Sequence, residues 1–581
     1  MDTARSIEAS SSDGRVYRPD LSWLTVEVVV YAGLVLLALM GRLFLLDLWP
    51  LSEAELPVAL SALRAARGEA WRAGSYSPLL FDLDLLLFAL TRATDGAARL
   101  VSALAGTAIV ATPYLFRRRL GRWGALATAA LLAVSPVAVY LSRSGDGTAL
   151  ALLFVVLALA SFEHNRPCLL VMSVVLGVLT APGFYTLPVG IGIALLVMRL
   201  VGRSHPAVAR LRGVLCGVSR GHLVWASVVL ALGATAATSN LGGVGATAEL
   251  AWRWVTGLVA SADAPAWWWT IASLAFYEPV TLALAVAGVV YAFRPSGEAW
   301  ERAVAIWLAW SLALGTVGGH RGPLWLAQVW LPAVVLAARG VERLAAVALD
   351  REHDGRDLAG ILVIWAVLCF AWLQLAAYQY TAQRVRLSLM IWGMGAGVVL
   401  LWGYGLWRGT WRALRVAACA IALIGAMAQL SNASALAYRT PRDPRELLVE
   451  RTISADVQVL EELVDREAAL DGLDRTTQRI VYDAGFDGVL GWVLREYPLS
   501  SASEDPLGQL DADVWITPEL SEDAWPARLV GQRVALWETL DEVSLTRLDP
   551  LRWLVTRASV GRTASEAVHV WVRADSGAGA P

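Results

Sequence analysis

Lysine is missing from this sequence: all 48 of its cationic side chains are arginine. That excludes Schiff-base chemistry and a Walker-type phosphate-binding lysine. Charge of either sign is scarce. Only 17% of the 581 residues are charged, against 57% hydrophobic, where a soluble chain averages about a quarter charged. Bilayer rather than water is therefore the expected solvent for much of the chain. A net charge of −2 and the lack of a basic, aromatic-interleaved stripe leave no nucleic-acid signature. The four cysteines, Cys168, Cys216, Cys369 and Cys419, form neither a metal-ligand spacing nor a disulfide framework. There is no internal repeat, and low complexity is confined to the Ser-rich start and the Gly/Ala-rich tail. A cleavable signal pattern is lacking too. A polar tail over 1–20 leads into an apolar run from Leu24 to Leu46, long enough to span and without a small-residue cleavage site.

What is present is a succession of such runs. They recur near 97–116, 123–141, 147–163, 168–181, 183–201, 222–240, 276–293, 303–318, 323–347, 358–378, 388–407 and 411–432. With the first run that makes about thirteen candidate spans; the break at Ala181-Pro182-Gly183 leaves open two short helices or a re-entrant pair. Arginine placement orients them. Arg117, Arg118, Arg119 and Arg122 fill one turn, and Arg199, Arg203, Arg210, Arg212 and Arg220 another. Arg339, Arg343, Arg351 and Arg356 form a third, and Arg408, Arg412 and Arg415 a fourth. All fall on one side, expected to be cytoplasmic together with the N-terminus.

The opposite, extracytoplasmic side receives the long first loop, 47–97. Glu53–Arg67 and Pro78–Thr91 within it read as amphipathic surface helices, and Asp82 and Asp84 argue against the second crossing the bilayer. After Ser431 charge becomes frequent and short apolar alternations intermingle with helical periods. Helices are expected over Glu446–Ala469 and Gly485–Tyr497, and strands over Arg479–Tyr482, Asp513–Ile516, Arg533–Trp537 and His569–Val572. The expected organisation is an all-α polytopic membrane domain over 21–435 and a soluble extracytoplasmic α/β domain over 436–581.

Particular stretches carry a family resemblance. Ala93–Arg143, with its basic turn and Ser-Pro, is one; FYEPVTLALAVAGVVYAF (Phe276–Phe293) and LWLAQVWLPAVVLAARG (Leu324–Gly340) are others. YRTPRDPRELLVERTISADVQVLEEL (Tyr438–Leu463) and WVLREY (Trp492–Tyr497) complete the set. In this order they resemble bacterial membrane glycosyltransferases of the GT-C superfamily, related to glycosyltransferase family 39, the protein mannosyltransferase and aminoarabinose transferase relatives. The resemblance implies a GT-C-like membrane fold and a sugar donor linked to polyprenyl phosphate. It implies transfer to a glycan, lipid or protein acceptor at the outer face of a bacterial cytoplasmic membrane. It also implies an acid in the first outer loop as base or metal contact, and cationic groups or a divalent cation such as Mg or Mn at the departing phosphate.

The family's Asp-Glu pair falls within Pro50-Leu51-Ser52-Glu53-Ala54-Glu55, as Ser52-Glu53 or as Ala54-Glu55. In both registers the aspartate position is not acidic. Glu53, Glu55 and the nearby Asp47 are the candidate catalytic carboxylates; the bland alternative is a pair of solvated charges on a surface helix. Arg143 and Asp146, in Ser142–Asp146, are candidates for donor phosphate and for acceptor or metal, against a simple helix-start role for the aspartate. Arg321, where relatives carry Glu-Lys, is a second phosphate candidate, and His320 beside it reads as a snorkelling or surface histidine. Trp267, Trp268 and Trp269 suit an interfacial belt, and Glu278 a structural role. Two other classes stay open: a catalytically silent scaffold, subunit or lipid-binding relative, and, with less support, a polyprenol-lipid transporter.

Overall fold

The computed structural model describes residues 25–541 and 561–573, except 70–76, 201–208, 210–212, 215, 260–264, 349–354, 382, 450, 471, 510, 522–524 and 527. The polar tail, Arg203, Arg210, Arg212 and Arg351 lie outside the described residues. The helices run α1 (Val26–Leu43), α2 (Leu56–Ala66), α3 (Pro78–Leu90), α4 (Asp95–Ala111), α5 (Arg117–Val134), α6 (Pro136–Ser142), α7 (Thr148–Glu163), α8 (Pro167–Val178) and α9 (Thr186–Leu200). They continue with α10 (Arg220–Ala234), α11 (Gly243–Thr256), α12 (Trp269–Tyr277), α13 (Pro279–Ala292), α14 (Ala299–Thr316), α15 (Pro323–Ala348), α16 (Gly355–Thr381), α17 (Arg384–Arg408) and α18 (Thr410–Ser434).

Among the described residues, six stretches are long and apolar enough to cross a bilayer, and α12 with α13 forms a bent pair that passes the same test. The chain is a multi-pass membrane protein. Several of the thirteen expected runs fold instead as shorter apolar helices, such as α7, α8 and α10. Local chemistry sets the breaks. Pro136 lacks an N–H and drives the preceding residue out of the helical region, so Ser135 is extended and caps α6 through its hydroxyl, which accepts from the Ala138 amide at 3.0 Å. Pro279 does the same between α12 and α13, which meet at 110°. Helices α16–α18 leave large apolar side chains such as Trp392, Trp402 and Leu406 exposed, as helix faces turned to lipid do.

The C-terminal region is a mixed six-stranded sheet: β1 (Arg451–Ile453), β2 (Ile480–Asp483), β3 (Ser500–Ser503), β4 (Val514–Pro518), β5 (Leu529–Asp541) and β6 (Arg562–Arg573), in the order β1-β5-β6-β4-β2-β3. β2 pairs in parallel with β3 and β4, and the other pairings are antiparallel. Helices α19 (Val457–Leu470) and α20 (Asp487–Val493) complete it. The helix expected over Glu446–Ala469 is corrected: its first residues form a turn, β1 follows at Arg451–Ile453, and α19 begins only at Val457.

The first loop is not a free surface element. Leu56, Leu60 and Leu63 of α2 and Phe81 and Phe88 of α3 share one apolar core with Ile453, Leu460, Trp492 and Val568 of the sheet region. Polar contacts flank this core. Arg64 holds Asp487 through two hydrogen bonds of 2.9 and 2.6 Å, and the Trp492 indole donates to Asp95 at 2.7 Å. Loop, sheet and the start of α4 are thus one packed layer above the membrane helices.

Candidate active site

Glu55 precedes α2 and is 1% exposed. Its Oε1 accepts from Arg99 Nε at 2.8 Å and from the Gly145 amide at 2.8 Å. Its Oε2 accepts from the Ser52 amide (2.6 Å) and hydroxyl (2.8 Å), Arg99 Nη2 (3.1 Å) and Arg442 Nη2 (2.6 Å). Burial alone would raise its pKa, but the Arg99 and Arg442 guanidiniums and the Ser52 amide hold it well below the usual carboxylate range. With six donors on two oxygens its lone pairs are taken. Arg99 is equally tied down, donating also to the carbonyls of Leu46, Trp49 and Pro50. Glu55 and Arg99 therefore pin the 46–55 segment to α4.

The other expected carboxylates are elsewhere. Asp47 accepts from the Gly96 amide at the start of α4, and a Cβ at Gly96 would collide with it. Glu53 is exposed and pairs with Arg451 of β1 at 3.4 Å. The solvated alternative thus suits Glu53 but fails for Glu55.

Asp146 stands one residue beyond the Gly145 amide that binds Glu55. Its Oδ1 accepts from the Thr148 amide at 2.9 Å and its Oδ2 from the Thr148 hydroxyl at 3.1 Å. It makes no ion pair among the described residues. Burial, augmented by the Glu55 charge and offset by Thr148, pushes its pKa up to about 7. Gly147 makes this approach possible. Its φ of +86° is open to glycine, and a Cβ there would lie 2.7 Å from Ser77 Oγ and 2.8 Å from the Thr180 carbonyl.

Arg143 donates to the carbonyls of Arg42 (3.1 Å), Phe44 (2.8 Å) and Leu45 (2.9 Å), satisfying the end of α1. Burial lowers its pKa, and the neighbouring charges of Arg99 and Arg442 add to that. Two guanidiniums, Arg99 and Arg442, therefore hold one ionised carboxylate, with Arg143 close enough to feel their charge, and the local field is cationic. Arg321 does not join them. It donates to the carbonyls of Pro265 and Thr316 at 2.8 and 2.7 Å.

The readings of His320 and Trp269 are corrected here. His320 is 4% exposed rather than at the surface, packed edge-on to Trp325 and against Trp254, and burial pushes its pKa down to about 4. Trp267 and Trp268 are exposed, but Trp269 is buried. Asp84 is buried with neither oxygen hydrogen-bonded, and Asp82 is half-buried; burial raises both. Glu278 is fully buried, accepting from Ser135, Thr281 and Gln429 at the α12–α13 bend.

The residues do not fit a divalent cation. Glu55 is occupied by cationic donors, and no group of three His, Cys, Asp or Glu side chains suited to a metal ion occurs among the described residues. Arg99 and Arg442 are the site residues that sequence reasoning missed. Arg99 carried a signal, because an arginine inside an apolar helix is functional or paired by default.

Residues 77–186 match the family model of dolichyl-phosphate-mannose-protein mannosyltransferase. The match contains Arg143 and Asp146 and leaves out Glu53 and Glu55. No curated protein matches. Among solved structures, ArnT from Cupriavidus metallidurans bound to undecaprenyl phosphate is similar, with a TM-score of 0.55 at 14% identity, over 96% of this chain and 99% of that one. The same protein in its apo state gives 0.52 at 12%, over 95% and 98%. The chain has the GT-C fold. The packed layer of first loop and sheet region sits over the end of the helical domain where the Gly145 amide binds Glu55.

Proposed function

We propose that this GT-C chain is a glycosyltransferase that moves a sugar from a polyprenyl-phosphate donor to an acceptor at the outer face of the bacterial cytoplasmic membrane, with Asp146 as its acid–base group. The observation that carries this is the contrast at one site. Glu55 is locked as an ion, while Asp146 stands beside it without a cation and near neutrality. A base must be able to take a proton at working pH, and of the two only Asp146 meets that condition. In the step, the acceptor hydroxyl loses its proton to Asp146 as its oxygen bonds to the anomeric carbon. The sugar–phosphate C–O bond breaks, and its electron pair leaves with the lipid phosphate. The cationic excess of Arg99, Arg143 and Arg442 over Glu55 favours that developing charge. Glu53 and Asp47 have no part in this reading, and Arg321 serves its loop.

The runner-up is a catalytically silent relative acting as scaffold, subunit or lipid-binding protein. It is favoured by Ala54 in the acidic position and by the carbonyl-bound state of both Arg143 and Arg321. The test is reconstitution of the full chain in proteoliposomes with a panel of polyprenyl-phosphate sugars and an envelope extract as acceptor. The enzyme reading expects acceptor-dependent release of polyprenyl phosphate. No release from any donor favours the silent relative.

A further inference from the structure

A half-enclosed cavity of about 550 Å³ lies between α4, α5, α7, α8, α9, α14 and α15, and neither Glu55 nor Asp146 lines it. Its walls are almost wholly apolar, with Val156, Leu159, Ile191, Val304, Trp307 and Trp310 prominent. Its one charged rim is the Arg119–Glu163 pair, joined at 2.8 Å. Glu163 ends α7 and Asp146 precedes its start. Over the 16 residues of α7, at 1.5 Å rise each, Asp146 and the Glu163 rim stand about 24 Å apart. The opposite end of the cavity is lined by the buried Ile109, Leu132 and Phe184.

A void of this size between packed helices forfeits contacts along its whole lining, so an apolar occupant is strongly favoured over emptiness or water. Beyond that pair, the charges on the adjoining helix ends, next in sequence to lining residues such as Arg119, Glu163 and Trp300, say what that occupant carries. Each carboxylate there has an arginine: Glu163 has Arg119, Glu27 has Arg117 and Arg122, and Glu298, Glu301 and Glu342 share Arg339. Arg118, Arg166 and Arg302 are exposed and make no ion pair among the described residues. The unmatched charge is positive.

We propose that this cavity is a lipid site, holding one hydrocarbon chain of an anionic phospholipid whose phosphate lies against these exposed arginines. The site is separate from the donor's and does not depend on the chain being a transferase. It would tie the packing of α7, α9 and α14 to the lipid composition of the membrane.

The test uses the full chain in nanodiscs containing phosphatidylglycerol with a diazirine in its acyl chain, photolysed and mapped by peptide. Label is expected on 155–163 and 303–310 and should be displaced about fivefold better by phosphatidylglycerol than by phosphatidylcholine. Roughly that factor accompanies one arginine at an anionic head group, so Arg118→Ala, an exposed change, should remove most of the preference. Leu159→Trp should abolish cavity label while leaving that on α16–α18; if it misfolds, Arg118→Ala still decides. Label confined to α16–α18 would overturn the proposal. So would equal displacement by both lipids, or displacement only by polyprenyl phosphate, which would make the cavity the donor's tail site.

Discussion

The two ends of α7 solve opposite problems. At its start, charged groups crowd together in the protein interior, and the structure matches nearly all of them: Glu55 with Arg99 and Arg442, and Arg143 with carbonyls. At its far end a cavity is walled by apolar side chains, and its only charged lining residues, Arg119 and Glu163, stand at the rim. Buried charge persists only where every partner is in place, so a carboxylate that lacks a cation stands out. At the matched end that carboxylate is Asp146. Completeness of pairing, more than acidity, separates scaffold from chemistry.

This contrast can be broken from the scaffold side first. Glu55→Gln leaves two buried guanidiniums without a counter-ion and should destabilise the chain by about 3–5 kcal/mol. A large fall in thermal unfolding temperature in detergent checks it, and a silent substitution would mean that Glu55 is not the keystone. A smaller effect is expected at the rim of the outer layer. Arg64→Ala removes a half-buried, doubly hydrogen-bonded partner of Asp487, at about 1–2 kcal/mol after allowing for solvent. Limited proteolysis should then detach the first loop from the sheet region sooner. Smallest of all, Glu53→Ala removes only its exposed pairing with Arg451, which keeps Glu566 and the Trp537 ring, and should cost less than about 1 kcal/mol. A larger loss by chemical denaturation would restore Glu53 as a structural or catalytic residue.

Much of this architecture is legible in the sequence because apolar length and strand alternation are local signals. The first helix, the α15 to α18 series, and β2, β4, β5 and β6 all announce themselves that way. β3 is Ser-Ser-Ala-Ser and β1 three residues long, so neither has an apolar period to read, and tertiary pairing alone makes them strands. The site is legible only by address. Glu55 can be picked out as an acid in the right loop, but its state is set by Arg99 and Arg442, 44 and 387 residues away. His320 sits in a Gly-rich stretch that reads as a surface turn, until Trp254 and Trp325 close over it. Asp146 has the sequence of an ordinary helix start, and only its want of a paired cation marks it out.

The pairing contrast is tested most directly by Asp146→Asn, assayed for sugar transfer and for stability across pH. Wild-type transfer should rise with pH through about 7, as Asp146 loses its proton. The variant should lose roughly 10²–10⁴-fold in rate. Because folding raises this carboxyl's pKa, its contribution to stability is present below the unfolded value of about 4 and lost as pH rises through about 7. At pH 8 the Asn variant should therefore be at least as stable as wild type. A folded Asp146→Asn protein that transfers sugar at the wild-type rate, or a wild-type rate indifferent to pH around 7, would contradict the assignment.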